Sequence, residues 1–214
     1  MSRVNGIQSK NILVIGDIML DTYFKGDVER ISPEAPVPVF RKKSEKSVLG
    51  GAANVAANLV AAGQNVSMMA IAGDDEAWEK IKGIFEKQGI NTDLIFSFNR
   101  CTTEKTRFLA SNNQQILRLD VEDAKPLGKE ECEKLLAEFE RKILSFDFIL
   151  MSDYMKGFLT YGFTQGIIAR ARENRIPVII DVKDPKSEKY AGATLLKPNL
   201  KELRDLTARK AETE

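Results

Sequence analysis

Histidine is missing from all 214 residues, and that absence narrows the chemistry at once. Ser-His and Cys-His nucleophile pairs, imidazole general bases and histidine metal sites are excluded. Cysteine is scarce: Cys101 and Cys132 form no C-x-x-C pair, so neither a structural disulfide nor a zinc cluster is expected. No apolar run nears the ~20 residues that span a bilayer. Met1 to Lys10 carries no apolar signal core. The net charge of +1 sets up no strong field toward nucleic acid or a membrane surface, and neither is expected as a partner. The G-x-x-x-x-G-K-[ST] phosphate loop is absent, and no G-x-G-x-x-G follows a strand. Both absences argue against P-loop nucleotidases and nicotinamide or flavin enzymes. A cytoplasmic protein is expected. Any catalysis rests on carboxylates, lysines, backbone amides or a hard metal ion.

What is present suits a globular fold. A 43% hydrophobic share over this length fills the core of one large domain, or of a domain with a small appendage. Residues 11–16 are a short β-branched run ending at Gly16 and read as a buried parallel strand. Asp17 and Asp21 follow, where open α/β sheets place ligands; Asp17 is equally a turn residue. Gly50-Gly51-Ala52-Ala53-Asn54 then opens an alanine-rich helix, about 53–62, capped by Gly63. Its glycines let a ligand approach the backbone, its N–H groups point at that spot, and Asn54 adds an amide. The same five residues also fit a helix start made tight for packing.

The periodicity continues as a strand at 66–71, a helix carrying Trp78, Ile81, Ile84 and Phe85 and closed by Gly89, a helix at 129–144, a strand at 146–151, a helix at 160–174, and strands at 177–181 and 193–196. Strands alternating with helices predict a parallel sheet. Two stretches break the pattern. Residues 23–47 carry Pro33, Pro36 and Pro38 and read as edge strand or irregular structure. The run Arg41, Lys42, Lys43 and Lys46 reads as a solvated loop face. Residues 93–98, 103–110 and 116–119 look like short strands and, with 22–47, are expected to build a small separate sheet. Lys105 and Arg107 on that sheet face either a ligand or solvent. Asp153 ends a strand much as Asp17 does, and Asn199 with Glu202 resembles a capping box.

Taken together, Gly50-Gly51-Ala52-Ala53-Asn54-Val55-Ala56, Asp153 and Asn199-Leu200-Lys201-Glu202 resemble the motifs of the ribokinase, or phosphofructokinase-B, family of carbohydrate kinases. A narrower resemblance joins the stretch 29–39, Ser152-Asp153-Tyr154 with Lys156-Gly157, Asp184-Pro185-Lys186 and Gly192-Ala193-Thr194-Leu195-Leu196 to the heptose 7-phosphate kinase group. Met155 departs from that group, which carries glycine there. The resemblance implies a ribokinase-like three-layer α/β fold, doubly wound, with a small β lid from about 22–47 and 94–119. It implies ATP and Mg2+ as cofactors and a sugar phosphate as substrate. Asp21, Gly50, Gly51, Asn54, Lys105, Arg107 and Asp153 would meet the substrate. Asn199, Glu202 and Lys186 would lie on the nucleotide side, Glu202 acting on the metal through water. The implied reaction phosphorylates the anomeric hydroxyl of the heptose 7-phosphate, in a homodimer paired through its lids. The family's G-A-G-D segment, with its aspartate base, is expected beyond Glu214, so 1–214 would be the N-terminal portion of the kinase domain and inactive alone. A non-catalytic sugar-phosphate-binding or dimerising remnant, or a kinase for ribose or fructose, are the alternatives.

Overall fold

The computed structural model describes residues 8–207; the first seven residues, most of the segment read above for a signal core, and the last seven lie outside them. The central strand β1 (Asn11–Gly16) is apolar on both faces, which suits a strand covered on both sides. It pairs in parallel with β4 (Asn65–Ala72) and β8 (Phe148–Ser152). Outside these lie β5 (Asn91–Ser97) on one side and β9 (Val178–Asp181) then β10 (Leu195–Lys197) on the other, giving the order β10-β9-β8-β1-β4-β5.

Alternation along β1 divides the core in two. Ile12 and Val14 pack beneath α1 (Gly51–Ala61) and α2 (Glu76–Gln88) with Ala52, Ala56, Ile81 and Phe85. Leu13 and Ile15 pack beneath α3 (Lys129–Lys142) and α4 (Tyr161–Glu173) with Leu135, Phe139, Phe163 and Ile167. Three layers result, as expected. Asp75 caps α2 by accepting from the Trp78 N–H at 2.9 Å, and Gly89 ends it at φ +72°. A short helix, α5 (Leu200–Thr207), closes the described chain. Among the described residues no helix is long and apolar enough to cross a membrane.

A second sheet stands on the first. Its strands are β2 (Ile18–Ile31), β3 (Pro38–Gly50), β6 (Thr103–Ala110) and β7 (Gln115–Val121), in the order β3-β2-β6-β7. Here two expectations need correction. Residues 23–47 form most of a long hairpin: β3 is the expected edge strand and 32–37 an irregular connection, but the β2 arm is an inner strand. The prolines fit because Pro33 and Pro36 lie in the connection and Pro38 opens β3, where a missing N–H costs little. The basic run at 41–46 is therefore strand, not loop. Residues 94–97, assigned above to the small sheet, belong to β5 and pair with β4 in the main sheet. The α2 crossover returns the chain parallel to β4, and buried Leu94 joins the main core.

Beneath the rim lies a buried ion pair. Lys189 Nζ is 2.5 Å from Asp153 Oδ2, with side-chain exposures of 7% and 1%. The Tyr190 hydroxyl donates to the same oxygen at 2.8 Å. Removing one partner strands the other charge. Lys189→Met is expected to lower unfolding stability by about 3–5 kcal/mol, and Asp153→Leu/Lys189→Met to regain more than half of that loss, read from urea midpoints.

Candidate functional site

The candidate site grows from Asp17, the one residue between β1 and β2. Its carbonyl accepts the Ala52 N–H at 2.9 Å. Its Oδ2 accepts the N–H groups of Tyr154 and Lys156 at 2.9 and 3.3 Å. One buried residue thus ties the first turn of α1 to the loop after β8. Burial pushes its carboxyl up to about 6; the Tyr154 N–H pulls it back part-way, and the neighbouring Asp153 charge pushes again.

Two glycines make room beside it. Gly51 sits at φ +55°, and a β-carbon there would strike the Asp17 carbonyl. A β-carbon on Gly50 would strike the Asp21 carboxylate. Asp21 therefore lies directly against the start of α1. Its Oδ1 accepts from the Arg107 guanidinium at 2.5 Å, and Arg107 lies 5.4 Å from the Tyr23 ring centroid. The Asp21 hydrogen bond holds that guanidinium more firmly protonated. Lys105 pairs across from Asp21 in the register, its Nζ 3.4 Å from Asp120 and 3.9 Å from Glu122. Glu122 in turn is 2.6 Å from Lys156. Asn54 is exposed on the first turn of α1.

The structure thus brings Asp21, Gly50, Gly51 and Arg107 into one cluster, with Lys105 on the same face. Asp153 stands apart from it. Its Oδ2 takes Lys189 and Tyr190, its Oδ1 takes the Met155 N–H at 2.8 Å, and its link to the cluster runs through Asp17. A cavity of about 530 Å³ beside it is lined by Met155, Thr160, Tyr161, Asp184 and Lys186, and by Lys189 rather than Asp153 itself. None of the cavities described here is walled by Asn54, Asp21 and Asp153 together.

At the end of β10, Asn199 and Glu202 make the expected capping box. The Glu202 N–H donates to Asn199 Oδ1 at 2.9 Å, and the Asn199 N–H donates to Glu202 Oε2 at 2.8 Å. Lys183 Nζ holds Glu202 Oε1 at 3.1 Å. Burial raises this carboxyl, but the Asn199 N–H and Lys183 outweigh it and hold it below the usual range. Each Glu202 oxygen keeps a spare lone pair. That fits a hydrated cation held through water better than a direct ligand, and among the described residues no three carboxylates or thiols gather around a metal position.

Sequence reasoning passed over Lys189 and Tyr190. A lysine in a charged loop reads as solvated, and nothing in its spacing signals burial. Met155, flagged only as a departure, sits at φ +57°, the left-handed region that glycine takes freely.

Residues 9–214 match the profile described as pfkB family carbohydrate kinase. The chain belongs to the pfkB family of carbohydrate kinases. It is 44% identical over 198 residues to the bifunctional protein HldE of Aliarcobacter butzleri, covering 92% of this chain and 41% of that one. It is 40% identical over 204 residues to the D-beta-D-heptose 7-phosphate kinase of Bordetella bronchiseptica, covering 95% and 63%. The chain therefore spans less than two thirds of either relative. Among solved structures, Arabidopsis thaliana ribokinase complexed with ribose and ATP superposes with a TM-score of 0.69 at 19% identity, over 96% of this chain and 65% of that one. The fold is ribokinase-like, as expected from the motifs.

Two outcomes follow for this pfkB-family chain. The folded Asp17 carboxyl is raised from 3.8 to about 6, so between those values the folded state binds more protons than the unfolded one. Stability from this group is present below pH 4 and is lost as pH rises through 6, by up to about 3 kcal/mol. The stability difference between wild type and Asp17→Asn is expected to shift by that amount between pH 4 and 7 in urea titrations. Met155→Gly relieves a left-handed residue that is half exposed, and is expected to raise stability by about 1 kcal/mol in the same assay.

Proposed function

We propose that this chain forms the sugar-binding side of a carbohydrate kinase. The reaction is transfer of the ATP γ-phosphoryl group to the anomeric hydroxyl of D-glycero-β-D-manno-heptose 7-phosphate. The product is a 1,7-bisphosphate suited to ADP-heptose and lipopolysaccharide core synthesis. The supporting observation is the cluster of Asp21, Arg107, Gly50 and Gly51 at the start of α1, in a chain 40% identical to a named heptose 7-phosphate kinase. In this reading residues 1–214 are the N-terminal portion of a ribokinase-like kinase domain, working in the cytoplasm where ATP is at hand.

Asp21 accepts sugar hydroxyls while Arg107 fixes its carboxylate. The two glycines let the sugar reach the α1 N–H groups, and Asn54 adds a donor and an acceptor. Lys105 and Arg107 bring the lid down over the sugar, and Asp153 shapes the loop at its edge. Asn199, Glu202 and Lys186 hold the nucleotide side, Glu202 through the metal's water shell. When bound, ATP with Mg2+ supplies the phosphoryl group and the countercharge for its transfer. Positioning and charge neutralisation suffice for such chemistry, so a chain without histidine is no obstacle.

The test is calorimetry and ATP turnover with heptose 7-phosphate, ribose and fructose. Heptose 7-phosphate is expected to bind at least tenfold tighter than the other sugars, and Asp21→Ala to weaken it by about ten- to a hundredfold, a charge-assisted hydrogen bond being worth roughly 1.5–3 kcal/mol. Binding without turnover in any longer form would favour the remnant reading. Equal binding of all three sugars would sink the heptose assignment.

One face of the small sheet favours the homodimer. Phe24, Phe108 and Leu117 lie side by side across β2, β6 and β7, with Phe40 on the Phe108 ring. Leu117, Leu119 and Val121 continue the same face at 44–56% exposure. A second copy of the lid would cover this apolar strip. Leu119→Glu is expected to turn a dimer into a monomer by sedimentation velocity; an unchanged mass would reject lid pairing.

A further inference from the structure

The opposite face of the lid carries an excess of positive charge. Alternation along β2 and its register put Asp21, Tyr23 and Lys25 on this face with Val48, Lys46 and Ser44 of β3 and Lys105, Arg107 and Leu109 of β6. Arg118 and Asp120 of β7 join them. Five cations thus share the face with two carboxylates. Three of the five are held: Arg107 by Asp21, and Lys105 and Arg118 by Asp120. Elsewhere on the lid, Arg41, Lys42 and Lys43 are held by Asp27, Glu29 and Glu45. The side chains of Lys25 and Lys46 have no carboxylate or hydrogen-bond partner among the described residues. They stand on the walls of one cavity of about 520 Å³, with the Tyr23 ring, Ser44, Val48 and Leu109.

We infer that Lys25 and Lys46 form the subsite for a phosphate carried by the sugar, at the end farthest from the hydroxyl that reacts. This rests on the sugar site proposed above, and names residues that site did not include. The geometry follows from the strand. Asp21 lies at the root of the lid, against α1. Lys46 stands opposite Tyr23, two residues outward or about 7 Å, and Lys25 four residues outward or about 13 Å, at roughly 3.3 Å per residue. A sugar seated with its anomeric end at Asp21 and the α1 N–H groups points its far end along this row. Two unneutralised ammonium groups and a hydroxyl there suit a dianionic phosphate. Tyr23 gives the sugar ring an apolar wall between the two ends, and Leu109 lies level with Lys25 at the far one. An unphosphorylated sugar would leave the lysines unused, so this row selects for a terminally phosphorylated substrate.

Calorimetry tests this with two probes, the heptose 7-phosphate and the same heptose without phosphate, on wild type and Lys25→Ala/Lys46→Ala. Both lysines are exposed strand residues, and circular dichroism checks that the variant is folded. Wild type is expected to prefer the phosphorylated sugar by at least tenfold, with the preference shrinking at high salt. The double variant is expected to bind the two sugars within about twofold of each other, while its affinity for the unphosphorylated heptose stays unchanged. A phosphate preference that survives in the double variant overturns the subsite and leaves the sugar site standing. Failure of wild type to bind either sugar overturns the sugar site itself.

Discussion

The buried carboxylate of Asp17 is the constraint on which the rim of the molecule depends. A carboxylate taken out of water must find donors or lose its charge. Asp17 finds them in the backbone of the loop after β8, while its own carbonyl takes an N–H that the first turn of α1 would otherwise leave unpaired. The lid also starts here, since Ile18 follows directly and bridges back to Gly51. Three pieces remote in sequence are therefore fixed relative to one residue. The nearby Asp153 charge opposes this arrangement, and Lys189 and Tyr190 offset it from behind.

The lid uses the pleat of its strands to keep two surfaces apart. Successive residues of β2, β6 and β7 send most of the charge to one face and most of the aromatic and aliphatic bulk to the other. Root and tip are held differently as well. At the root, Leu20 and Leu49 join the core beneath α1 and α2. Further out, contact with the floor runs through ion pairs, from Lys156 to Glu122 to Lys105 to Asp120. Partly exposed pairs of this kind are each worth little. The root is thus fixed by packing, and the outer part of the small sheet by weak ion pairs.

Much of this was legible in the sequence, for reasons that can be named. β1 and β9 announced themselves through short runs of Ile, Leu and Val, and β4 through the buried apolar run that ends it. Helix α2 showed its apolar stripe and its closing Gly89, whereas the capping roles of Asp75 and Thr160 emerge only in the structure. Allocation of strands to sheets was not legible. β5 and β6 have similar local patterns, and only the crossover through α2 sends one into the core and the other into the lid. Residues 23–47 misled because proline argues against strand locally, whereas the hairpin confines Pro33 and Pro36 to its connection. Lys189 was hidden for the opposite reason: its burial follows from a tertiary partner 36 residues away, which no local pattern encodes.

Met155 shows how far that tertiary control reaches. A methionine at φ +57° pays a steric cost that glycine does not. Yet the N–H groups on either side of it, Tyr154 and Lys156, both point at Asp17, and its own points at Asp153. With three consecutive amides directed at two carboxylates, the backbone between them has little freedom left. Each of those hydrogen bonds reaches a charged or buried acceptor and is worth more than a solvent-exposed one. Their sum exceeds the one or two kcal/mol that a left-handed side chain costs. The shape of the loop is therefore imposed by the two aspartates, and the residue at its apex accommodates them.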